Sequence, residues 1–124
     1  MKNSLPDVIG LAVVAVAIAA GQALFKRVGL SMRGQPLLDG FLMIACQPAL
    51  YVALGVYGVA TLMWIWILSR VPLMVAYPWV AISVVIVPVL GWLVFDERIV
   101  PIFWLGIGLI LVGLFLTQVA AQIS

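Results

Sequence analysis

Four apolar runs, at residues 8–25, 48–68, 72–95 and 101–119, contain no charged side chain, and only short polar connections separate them. A bilayer core about 30 Å thick is crossed by roughly 20 apolar residues in a helix, so each run matches one crossing. With 67% of the 124 residues hydrophobic and 8% charged, no water-soluble core can hide this much apolar surface. Lipid is therefore the solvent. The backbone in lipid must satisfy its own hydrogen bonds, and helices do so within one segment. The expected fold is an all-α integral membrane protein, one four-helix transmembrane bundle over residues 1–124.

The punctuation between the runs supports this division. Ser4, Pro6 and Asp7 stand where a helix starts, and Lys26, Arg27 and Gly29 stand where one stops. Residues 31–40 carry Arg33, Gly34, Pro36 and Asp39 and read as a loop. The apolar stretch ahead of Pro48 reads as an interfacial half-turn or an extension of the second helix. Trp64 and Trp66 lie near the end of that helix, where indoles favour the membrane interface. The turn Ser69-Arg70-Val71-Pro72 is so short that the third helix must return antiparallel beside the second. Pro78 and Pro88 each remove a backbone donor from that third helix. Asp96-Glu97-Arg98 turns the chain into the last helix, and Gln118, Gln122 and Ser124 close the sequence. Lys2 ahead of an apolar run has the look of a secretion signal, but the further spans mark it as a retained first helix.

Composition excludes several classes of function. Cys46 is the single cysteine and there is no histidine, so neither an internal disulfide nor a zinc or redox centre is expected, and no cofactor is implied. No phosphate-binding loop signals ATP hydrolysis. The net charge of +2 comes from six basic residues scattered over segment ends, a pattern of membrane anchoring rather than nucleic-acid binding. Lys26, Arg27, Arg33 and Arg98 fall on one side and Lys2 and Arg70 on the other. This bias favours cytoplasmic loops 1–2 and 3–4.

Polar groups inside the spans are the candidates for chemistry. Gln22 follows Gly21, and Lys26 lies one turn further along the same face. Two readings are open here: interhelical hydrogen bonding with a snorkelling lysine, or substrate binding. Tyr77, Pro78 and Trp79 open the third helix with Ser83 further in. They are either interface aromatics or the polar lining of a cavity at a proline-weakened turn. Glu97 is either part of a solvated turn or a contact for a cation or amine, with Asp96 a weaker candidate. In the fourth helix Gly106, Leu109, Ile110 and Gly113 form a face with small residues that lets helices approach closely in lipid. It suits a dimer contact or a contact within the subunit.

These pieces resemble the small multidrug resistance proteins and their relatives in the drug/metabolite transporter superfamily, over nearly the whole chain. Within that group the sequence is most similar to the ArnE and ArnF type subunits, proposed to flip undecaprenyl-phosphate-linked aminoarabinose. The likeness rests on Ala20-Gly21-Gln22 with Lys26, on Val71-Pro72 with Ala76-Tyr77-Pro78, and on Glu97 beyond. Gly106, Leu109, Ile110 and Gly113 look like the dimerisation motif of the multidrug branch. That branch carries a proton-exchanging glutamate in its first helix. The matching position here is Ile18, which argues against proton-coupled drug export by that mechanism.

The resemblance implies a carrier of a lipid-linked sugar or other anionic lipid in a bacterial inner membrane, surrounded by membrane lipids. Lys26 and Arg27 would attract the phosphate, and Gln22, Tyr77 and Glu97 would contact the head group. It also implies pairing with an identical or similar small chain, in the antiparallel arrangement that the related families favour. Two alternatives are an exporter of small hydrophobic solutes with Trp64, Trp66 and Trp79 around one cavity, and an accessory subunit that transports nothing itself.

Overall fold

The computed structural model describes residues 4–123. Lys2 and Ser124 lie outside them. The described chain forms six helices: α1 (Leu5–Ser31), α2 (Leu37–Ala45), α3 (Pro48–Leu68), α4 (Leu73–Val80), α5 (Ser83–Phe95) and α6 (Pro101–Ile123). Helices α1, α3 and α6, and α4 with α5 taken together over Leu73–Phe95, are the four segments long and apolar enough to cross a membrane.

Local chemistry explains the boundaries and three departures from the sequence reading. At the start of α1 the Asp7 carboxylate accepts hydrogen bonds from the backbone N–H and the hydroxyl of Ser4. This places a negative charge on the positive end of the helix. The helix then runs through Lys26, Arg27 and Gly29 to Ser31 instead of stopping at residue 25. Its 27 residues make a rod of about 40 Å, longer than the hydrocarbon core, so basic residues on its last turns reach the interface without ending it. The expected loop at 31–40 shrinks to five residues, because α2 already begins at Leu37, and the stretch before Pro48 is a separate helix. With nine residues, α2 is too short to span. Gly40 seats it against the Met32 side chain, and Gln47 Nε2 donates to Ser31 Oγ at 2.6 Å.

The third apolar run is two helices rather than one. Pro78 and Pro88 cannot donate to the carbonyls of Met74 and Val84. Between them the backbone tightens to three-residue spacings, with Ile82 donating to Trp79, Val84 to Ala81 and Val85 to Ile82. α5 ends at Asp96, which adopts a left-handed conformation with φ 54°. The N–H groups of Asp96 and Glu97 both turn back to the Gly91 carbonyl.

Packing is uneven along the bundle axis. Leu11, Val14, Ile67, Val71, Val75 and Ala76 form the buried core, with Ile18, Met63, Trp64, Trp79 and Ala121 against it. All of these belong to the end where α1 starts, α3 meets α4 and α6 finishes. Arg70 pairs there with the buried Asp7 at 3.5 Å and lies over the Trp66 ring at 4.8 Å. Gln118 Nε2 donates to the Val75 carbonyl at 3.1 Å, joining α6 to α4. At the opposite end α5 buries only Gly91 and α6 only Ile107. One end of the bundle is closed by side-chain packing; at the other α1 and α3 still bury Val28 and Ala53, while α5 and α6 leave it open.

Candidate functional site

The open end gathers most of the charged side chains. Lys26, on the penultimate turn of α1, pairs with Glu97, which follows the left-handed Asp96, at 3.2 Å. Glu97 can lie against α5 because Gly91 has no side chain: a Cβ there would stand 2.6 Å from Glu97 Oε2. Both partners are about half exposed, so the pair is accessible to a competing charge and contributes little to stability. Beside it is a cavity of about 190 Å3 that Gln22, Lys26, Gly91, Phe95 and Glu97 help to line. Two residues 71 positions apart in sequence thus make one charged site.

Gln22 stands one turn deeper. Its Nε2 donates to the Tyr57 hydroxyl at 2.6 Å. The Tyr57 ring fits against Gly21 and stacks on Phe25 at 5.0 Å between centroids. The interhelical reading of Gln22 therefore has a definite partner, and Gln22 also faces the charged cavity. Tyr57 was not among the sequence candidates. Its signal was a tyrosine in the middle of an uncharged span, far from any interface, where a hydroxyl must find a partner.

Tyr77 and Trp64 are elsewhere. They meet edge to face at 6.1 Å and line a second cavity of about 210 Å3 with Val14, Ile18, Tyr57 and Thr61. Val14 and Ile18 precede Lys26 by 12 and 8 residues, which is about 12–18 Å along the helix. Tyr77 thus lines a different cavity from the one that Gln22 and Glu97 line. Short turns fold α4 back onto the closed end, away from the end where α5 delivers Glu97.

Nor do the three tryptophans surround one cavity. Trp64 faces Tyr77, Trp66 carries Arg70, and Trp79 with Pro78 lines a third cavity together with Leu111, Leu114 and Gln118 of α6. Ser83 opens α5 and lines neither cavity. On α6, Gly106 and Gly113 have no neighbouring atoms where a Cβ would stand. Leu109 and Ile110 of the same helix are exposed. Among the described residues no other helix closes on that face, which leaves it open to lipid or to a second chain.

Comparison with known proteins gives a consistent set. A protein of Aeromonas hydrophila named "Probable 4-amino-4-deoxy-L-arabinose-phosphoundecaprenol flippase subunit ArnE" is 34% identical over 110 residues, covering 89% of this chain and 95% of that protein. A protein of the same name from Pectobacterium atrosepticum is 33% identical over 114 residues, covering 87% and 94%. A third, from Pseudomonas savastanoi, is 39% identical over 66 residues, covering 53% and 58%. No family model matches the chain, and no solved structure does.

Proposed function

This chain belongs to the ArnE family of flippase subunits, and on that premise we propose that it carries an undecaprenyl-phosphate-linked amino sugar across the bacterial inner membrane. It performs no covalent chemistry in this role. The observation that carries the reading is the Lys26–Glu97 pair, an exposed cation and anion side by side at the rim of a cavity. An amino sugar joined to a phosphate presents the complementary pair, an ammonium and an anion on one head group. Exchange is then charge for charge. Glu97 leaves Lys26 for the ammonium, and Lys26 turns to the phosphate, so no charge is left uncompensated near the lipid.

The deeper groups continue the path. Gln22 and Tyr57 offer an amide and a hydroxyl to sugar hydroxyls below the ion pair. Tyr77 and Trp64, with Pro78, Trp79 and Ser83 on the same proline-broken span, serve the other half of the crossing. The basic residues of the open end, Lys26, Arg27, Arg33 and Arg98, favour a cytoplasmic position for it. The free glycine face of α6, with Gly106, Leu109, Ile110 and Gly113, supports pairing with a second small chain, identical or similar. Four spans with one end open do not by themselves enclose a two-sided path.

The test is reconstitution in liposomes, assayed for translocation of the lipid-linked amino sugar and, separately, of a cationic dye. Movement of the lipid alone, lost in Glu97→Gln with normal insertion, is the expected result. Movement of dye alone would favour a solute exporter, and movement of neither with a partner chain supplied would favour an accessory role.

A further inference from the structure

We propose that the groove between α1 and α5 seats the phosphate-proximal part of a polyprenyl chain, with Arg27 holding the lipid's phosphate at its mouth. The inference rests on the flippase reading and assigns a site for the part of the substrate, its tail, which the ion pair does not address. The groove has a volume of about 520 Å3 and is lined by Ala19, Ala23 and Arg27 of α1 and Ile86, Leu90 and Val94 of α5, among others.

Chemistry selects the occupant. Arg27 is the one charged residue of the lining, and the rest is hydrocarbon, so the groove holds nothing for the hydroxyls of a sugar. Val16, Ala20, Ala23 and Arg27 follow one another along one face of α1 at helical spacing. Together they run about 16 Å, about half the hydrocarbon core. An apolar trough of this depth that ends in a guanidinium matches an isoprenoid ending in a phosphate ester.

Charge pairing singles out Arg27 as the anchor. Among the described residues Lys26 is held by Glu97 and Arg70 by Asp7, whereas Arg27 has no acidic partner. Arg33 and Arg98 also lack one, but neither lines the groove. The guanidinium fork suits two phosphate oxygens at once. Ala19, Ala23 and Leu90 line both this groove and the cavity holding Lys26 and Glu97. A lipid anchored on Arg27 therefore has its head group beside the ion pair, which stays closed until an ammonium arrives.

The test is native mass spectrometry of the full chain released from micelles with equal amounts of undecaprenyl phosphate, undecaprenol or phosphatidylglycerol. The wild type is expected to retain undecaprenyl phosphate over the other two, although this probe has no amine. Arg27→Gln should weaken that retention about tenfold, the loss of one charge-assisted contact, while Arg33→Gln leaves it unchanged. Ala20→Phe, which adds apolar bulk at an exposed position, should block the groove and weaken retention by a similar factor. Helix content checks that each variant is folded. Equal retention of phosphatidylglycerol, no retention by the wild type, or full retention by either groove variant would overturn the proposal. Parallel transport measurements keep the two readings apart. Transport with an unaffected Arg27→Gln refutes the groove alone, and binding without transport refutes the flippase reading alone.

Discussion

Replacing Gly21 with alanine tests the contact on which the middle of the bundle depends. A Cβ at this position would stand 2.7 Å from Tyr57 Cδ2, and closer still to Cε2, so the ring must move. It cannot move freely, because Phe25 stacks on it and Gln22 holds its hydroxyl. Overpacking of this kind costs about 1–3 kcal/mol. Alanine recovers about 1 kcal/mol of helix propensity relative to glycine, which leaves a net loss of up to about 2 kcal/mol. In a Tyr57→Ala background the clash is gone and only the propensity gain remains. There the same substitution should stabilise by up to about 1 kcal/mol, giving a coupling of about 1–3 kcal/mol between the two positions. Denaturant unfolding in detergent micelles, followed by circular dichroism for the four members of the cycle, measures it. The same change in both backgrounds would refute the close packing of α1 on α3 through this pair.

Three further outcomes are expected. Gly91→Ala should lower transport while changing stability by less than about 1 kcal/mol, because the added Cβ meets the mobile end of Glu97 and not backbone; unfolding and liposome assays separate the two. The exchange Lys26→Glu with Glu97→Lys should keep the ion pair and the fold but not transport, since each charge then faces the wrong part of the head group; full transport would show that the pair is only structural. Arg70→Leu should destabilise by about 1–3 kcal/mol, because the Asp7 side chain, only 9% exposed, keeps Ser4 but loses its counter-charge; an unchanged unfolding midpoint would contradict that.

The four crossings were legible in the sequence because hydropathy is additive along a helix and lipid leaves no alternative. Asp7 as a start signal and Lys26 and Glu97 as candidates were legible for a related reason, since a charge near an apolar span stands out. The exact ends were less so. Lys26 and Arg27 read as a stop, yet α1 continues to Ser31, because a snorkelling side chain does not interrupt backbone hydrogen bonds. Pro78 and Pro88 announced a weakened helix, but that the break falls between Val80 and Ser83 followed from how the turn between them re-formed its hydrogen bonds. Which polar groups meet was decided only by tertiary structure. The Lys26–Glu97 pair, the Gln22–Tyr57 bond across 35 residues and the separation of Tyr77 from both depend on which end of the bundle closes. That depends in turn on packing among Leu11, Ile67, Val71 and Ala76, and shape complementarity between distant side chains leaves no periodic trace in a single sequence.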